Sequence, residues 1–123
     1  MTAKFNIDEK FSKFSEHWRP KIVAELNGQE FKLAKIKGEY PFHAHEGEDE
    51  MFVCWKGEFV LEYETGERVD VKQGEAIVVP KGVVHRPIAV EECHILLIEP
   101  KDVKNSGNAD VDATYDAPVG EWV

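Results

Sequence analysis

Three imidazoles and one carboxylate stand at spacings that let a single ion gather them: His43 and His45 with one residue between, Glu50 five positions on, and His85 further along. In a strand, residues two apart project from the same face, so His43 and His45 form a two-pronged ligand if the chain after Pro41 is extended. Imidazole with carboxylate suits zinc, manganese, iron, cobalt or nickel, whereas calcium and magnesium prefer sites made of oxygen. A His-x-His pair arises by composition alone in about one such chain in five, so the flanking residues have to supply the specificity.

Glu50 leads the apolar run Met51-Phe52-Val53-Cys54-Trp55, and alternation puts Phe52 and Cys54 on its side and Met51, Val53 and Trp55 on the other. A carboxylate facing a core is costly to bury charged, and a metal ion removes that cost. On the opposite reading Glu50 is a solvated strand-edge residue, as Glu46, Glu48 and Asp49 before it are expected to be. The acidic run can also raise the local concentration of a divalent ion. His85 lies beyond a tight turn, Pro80-Lys81-Gly82, that closes the apolar run Ala76 to Val79.

Positioning such a cluster falls to short strands. Ile22, Ala24 and Leu26 alternate, Asn27-Gly28 is a two-residue hairpin signal, and Phe31 and Leu33 alternate on the return. Met51 to Trp55, Phe59 to Tyr63, Val69 to Val71, Ala76 to Val79 and Ile95 to Ile98 continue the pattern, divided by glycine turns. With nothing helical between them, they favour an all-β sandwich or barrel over a parallel sheet. Ahead of them Phe11, Phe14 and Trp18 keep helical spacing, with Asn6 or Asp8 as N-cap and Pro20 as the stop, which predicts a short helix ending at His17. The division expected is a helical segment over 1–20, a barrel over 21–100 and a tail over 101–123. The tail either wraps over the barrel or a partner, through Val119, Trp122 and Val123, or stays solvated.

Read together, the segments resemble the cupin superfamily. Its first motif appears as His43-Ala44-His45, four residues, Glu50, six residues and Gly57; only the leading glycine departs, Gly38 standing four residues ahead of His43 where the motif has five. Its second motif appears as Gly74, five residues, Pro80, Lys81, Gly82, two residues and His85, with Ala89 where the motif closes on asparagine. The resemblance covers Gly38 to Ala89 and the adjoining strands to Pro100. It implies a small single-domain jelly-roll barrel (a double-stranded β-helix), a divalent transition metal held by His43, His45, Glu50 and His85, and a homodimer. For activity it implies an isomerase, a dioxygenase or a lyase acting on a small polar organic molecule.

An enzyme also needs a proton-transfer group near open metal positions. His94, at the head of the run Ile95 to Ile98, Tyr63, and Arg86 beside His85 are the candidates, with Arg86 as a possible anchor for carboxylate or phosphate. Phe42, Phe52 and Cys54 are candidate pocket walls. The rival reading is a non-catalytic module that binds a metal or small ligand. At 123 residues one domain is expected. The excess of 24 acidic over 15 basic residues, a net charge of -9, argues against a nucleic-acid partner. No apolar run approaches the roughly 20 residues of a membrane-spanning helix, and the charged N-terminus lacks an export signal, so a cytoplasmic protein is expected. Cys54 and Cys93, without Cys-x-x-Cys spacing, are expected as buried free thiols.

Overall fold

A computed structural model describes residues 3–123. One short helix, α1 (Ile7–Phe11), precedes seven strands: β1 (Lys21–Leu26), β2 (Gln29–Glu39), β3 (Glu50–Lys56), β4 (Glu58–Tyr63), β5 (Arg68–Lys72), β6 (Ala76–Val79) and β7 (His85–Pro100). The pairings among these seven strands are all antiparallel, and the architecture is all-β. The hairpin between β1 and β2 turns on Asn27 and Gly28, both at positive φ (51° and 81°), as a primed two-residue turn requires.

β7 organises the barrel because its two halves serve different layers. Its second half pairs with β2 and β3, giving the layer β1-β2-β7-β3-β6. Its first half pairs with β4, which carries β5, while the end of β2 follows it across. Between the halves Ile36 faces Cys93 but Gly38 already faces Ala89, so Val90, Glu91 and Glu92 are pushed out into solvent and the strand bends. The layers close on Ile36, Phe52, Phe59, Leu61, Ile95 and Leu97, every one buried. Cys54 and Cys93 lie in this core as free thiols with sulfurs 3.7 Å apart. Ala89, in place of the motif's asparagine, is fully buried there too.

The helix is shorter than the aromatic spacing predicts. Asn6 is the cap, accepting from the Glu9 backbone at 2.9 Å, but the helix stops at Phe11 rather than at His17. Beyond it the chain is drawn alongside β2: His17 bridges Lys35, and the Trp18 amide donates to the Lys35 carbonyl at 2.9 Å. Phe11 and Phe14 pack on Val23 and Leu33, while Trp18, at φ 63°, enters the main core. Their spacing reflects burial on a sheet, not a shared helix face. The tail wraps across the barrel, burying Val103, Ser106 and Ala117, and Trp122 bridges Ile22 of β1. Among the described residues no helix is long and apolar enough to cross a membrane.

Candidate metal centre

Three chain segments bring the cluster together. Glu50 opens β3, His85 opens β7, and His43 forms a two-way backbone bridge with His85 at 3.0 and 2.9 Å. On the far side of that segment the tail grips Ala44, whose amide donates to Asn108 Oδ1 at 3.0 Å and whose carbonyl accepts from the Asn108 amide at 3.1 Å. The Gly82 amide, from the turn before β7, donates to the His45 carbonyl at 2.8 Å. The extended His-x-His segment is thereby pinned between strand, turn and tail.

His43, His45, Glu50 and His85 are all buried, between 0 and 4 % exposed, and each offers one ligand atom within 4.8 Å of the others. Glu50 Oε1 stands 3.3 Å from His45 Nε2 and 3.4 Å from His85 Nε2. Neither contact has hydrogen-bond geometry, so these three atoms are buried without a partner. Buried polar atoms are ordinarily satisfied, and three orphans facing one another mark the place of a missing common partner. The separations match donors about 2.1 Å from one ion, which stand roughly 3.0–3.4 Å apart in octahedral or tetrahedral arrangements. The donor set and its orphaned atoms therefore fit a divalent transition ion.

The imidazoles are prepared for that role. His43 Nδ1 lies 3.0 Å from the Pro41 carbonyl and His85 Nδ1 2.8 Å from the Val83 carbonyl; a carbonyl only accepts, so each Nδ1 carries the proton and each Nε2 keeps its lone pair. Burial, reinforced by the neighbouring His85, holds His43 down to about 4, neutral at ordinary pH. His45 behaves oppositely: burial alone would lower it, but the adjoining Glu50 and the charge of Glu48 leave it raised. Burial would raise Glu50, yet His45 and His85 overcome that and hold its carboxyl well below the usual range.

Sequence reasoning missed Glu99. It is buried beside Glu50, and burial first and the Glu50 charge second push its carboxyl well above the usual range. Lys32 Nζ donates to its Oε1 at 3.0 Å, while its Oε2 has no partner. The signal was present: Cys93, Ile95, Leu97 and Glu99 alternate on the inward face of β7, placing a carboxylate where the pattern calls for an apolar residue. Tyr40 and Asn105 were missed as well; both line a cavity of about 30 Å³ against His43 and Glu50. Phe52, read from parity as a pocket wall, lines the same cavity, whereas Cys54 sits elsewhere in the core.

The structure turns two of the three proton-transfer candidates, His94 and Arg86, away from the cluster, whereas Tyr63 stands opposite His85 in the β4–β7 register and packs against the main core. His94 alternates with the inward residues of β7 and lies on the outer face, stacked on Phe11 at 4.5 Å and 3.1 Å from Glu92. Arg86 points opposite to His85, bonding Glu62 at 2.7 Å and covering the ring of the exposed Phe42. Tyr63 faces a surface hollow with Glu64, Thr65, Pro80 and Val83. His17, at the surface, pairs with Glu92.

A seven-stranded antiparallel barrel with a His-His-Glu-His cluster is the cupin arrangement, and the family comparison agrees: the model described as a cupin domain matches residues 27–99. The chain belongs to the cupin family. A cupin-2 domain protein of Shewanella frigidimarina NCIMB 400 superposes with a TM-score of 0.77 at 41 % identity, covering 79 % of this chain and 94 % of its own. The protein NMB1881 of Neisseria meningitidis superposes at 0.74 with 30 % identity, covering 80 % of this chain and 100 % of its own. YdbB, an uncharacterised protein of Bacillus subtilis (strain 168), is 30 % identical over 98 residues, 80 % of either chain.

Proposed function

We propose that this cupin is a metal-dependent enzyme holding one divalent transition ion, zinc, manganese, iron, nickel or cobalt, on His43, His45, Glu50 and His85. Its substrate is a small polar organic molecule and its chemistry that of an isomerase, dioxygenase or lyase. The observation that carries the proposal is the trio of buried, unpartnered atoms, His45 Nε2, Glu50 Oε1 and His85 Nε2. When bound, such an ion supplies a Lewis acid and, where the metal is redox-active, a path for electrons. The chain supplies the rest. Pro41 and Val83 fix the tautomers of His43 and His85. Glu50 offsets one positive charge. Phe52, Ile95 and Leu97 exclude water from the adjoining cavity, which strengthens every electrostatic interaction within it. Glu99 can hold a proton at its buried, unpartnered Oε2 beside the cluster, a role for which His94 and Arg86 are out of place.

A non-catalytic module binding a metal or small ligand is the second reading, favoured by that same displacement of His94 and Arg86. The apolar walls weigh against sugar isomerisation, which requires several polar anchors. We extend the proposal to a homodimer joined through the N-terminal segment and tail, where Phe5, Val119 and Trp122 are exposed; a monomeric mass in sedimentation overturns that part.

Elemental analysis of wild type beside His45→Ala tests the metal. One transition ion per wild-type chain, absent from a variant with an unchanged circular dichroism spectrum, is the expected result. Stoichiometric metal in the variant defeats the assignment, and no metal in wild type moves the chain to the second reading.

A further inference from the structure

Residues 101–121 form neither helix nor strand, yet they lie across the barrel with Val103, Ser106 and Ala117 buried. Runs of more than about 15 residues without secondary structure are uncommon in compact domains and are typically lids, binding loops or linkers. This one is attached to the metal pocket. Asn108 grips the backbone between the two histidines, Tyr115 packs edge-on to Tyr40 at 5.2 Å, and the Tyr40 hydroxyl donates to the Tyr115 carbonyl at 3.0 Å. Few backbone bonds tie the segment to the barrel, which puts it at the low-stability end of the fold.

Asn105 sits at its inner turn. Its Nδ2 lies 3.3 Å from the Trp18 carbonyl, 3.4 Å from the Tyr115 carbonyl and 3.0 Å from the Tyr40 hydroxyl. Two of those partners only accept, so the donor end of the amide is fixed by its surroundings and Oδ1 is the other end. Oδ1 is buried and unpartnered. Asn105 lines the cavity beside His43 and Glu50, whose remaining walls are chiefly aromatic and aliphatic and include no lysine or arginine. An acceptor without a donor, on a residue that lines an apolar cavity next to the candidate metal ligands, is complementary to an uncharged molecule carrying one hydroxyl. No lysine or arginine there would pair with a phosphate.

We propose that residues 101–118 are a strap over the metal pocket and that Asn105, through Oδ1, is its specificity-determining residue. It would select a small neutral ligand with an apolar body and a hydroxyl donor. This rests on the reading of the cluster as a metal site open to ligand. At about 30 Å³ the closed cavity has room for about one water, so the strap lifts to admit an organic molecule and settles back upon it.

The test uses full-length protein of measured metal content and two probes of similar shape, phenol and toluene, with affinities from ligand-observed NMR. Phenol is expected to bind wild type about tenfold more tightly than toluene, the worth of one buried hydrogen bond. In Asn105→Ala the phenol preference should vanish, while Tyr40→Phe, which leaves Oδ1 in place, should keep it. Phenol should also slow tryptic cleavage after Lys104, an exposed strap residue, in wild type. Equal binding of phenol and toluene, or a preference that survives Asn105→Ala, overturns the proposal. Should Asn105→Ala not fold, the wild-type probe ratio and the protection of Lys104 decide. Metal present without a phenol preference defeats the strap alone, whereas absent metal defeats the underlying reading.

Discussion

Two concavities share strand β7 and differ in kind. The larger, about 840 Å³, is an open groove on the outer face lined by Asp8, Phe11, Lys35, Trp55, Lys56 and His94. Its polar groups largely serve one another: Trp55 donates to Asp8 at 2.8 Å, Lys35 to the Phe14 carbonyl at 2.6 Å, and His94 contacts Glu92 at 3.1 Å. The smaller, about 30 Å³, adjoins the His43-His45-Glu50-His85 cluster, where three buried donor atoms serve nothing. Size describes the shape of a surface, whereas unsatisfied buried polar atoms describe what the fold was built to receive. By that measure the small cavity is the chemical one, and the groove is where α1 docks.

The sharpest way to break this contrast is to remove one histidine from each half of β7. His85→Ala should cost more than about 100-fold in metal affinity, beyond the 10–100-fold typical of losing an outer-shell partner, whereas His94→Ala should leave metal content unchanged. Competition with a chromophoric chelator reads both; equal losses would erase the distinction. Metal occupancy should also fall as pH drops, beginning above the ordinary imidazole value of 6.5, because Glu50 and Glu48 help His45 retain a competing proton.

Next in size is the pH dependence of stability in chelator-treated protein. His43 titrates at about 4 when folded and 6.5 when unfolded, so between those values the unfolded chain binds the extra proton and stability climbs with pH, by on the order of 3 kcal/mol. Glu99 acts in the opposite sense: raised in the folded state, it contributes stability below its ordinary value of 4.5 that is lost as pH rises. Denaturant titrations of wild type and Glu99→Gln across pH 4–6.5 separate the two, and the variant should show the steeper climb. A parallel pair of curves would remove Glu99 from the buried cluster.

Gly107→Ala probes the strap. A Cβ there would lie 2.3 Å from the Ala44 carbonyl oxygen and 3.2 Å from His45 Nδ1, at a backbone φ of 56°. A loss of about 2 kcal/mol is expected, together with weaker metal binding, since Ala44 sits between two of the ligands. Smallest is the stability cost of His94→Ala, about 1 kcal/mol from the lost stack on Phe11, read by thermal melting.

How far the site could be read in advance depended on the range of the interactions involved. Phe52 was legible because parity along a strand is local, and the same rule would have found Glu99. Parity also put His94 on a face with Leu96 and Ile98, but not which face looks inward. That was settled when β2 and β3 paired on either side of β7 and turned Ile95 and Leu97 to the core. The aromatic spacing predicts too long a helix because two separate burial sites, one shared by Phe11 and Phe14 and one taken by Trp18, also satisfy it.

What the sequence determined by itself was the set of strands, the Asn27-Gly28 turn and the four residues able to share an ion, all consequences of backbone preference and donor chemistry within a few neighbours. What only the tertiary structure decided was that Glu99, Tyr40 and Asn105 meet at that cluster from β7, the residue just after β2 and the tail. Their positions follow from strand register and from the path of the tail, which are set by packing between segments distant in the chain.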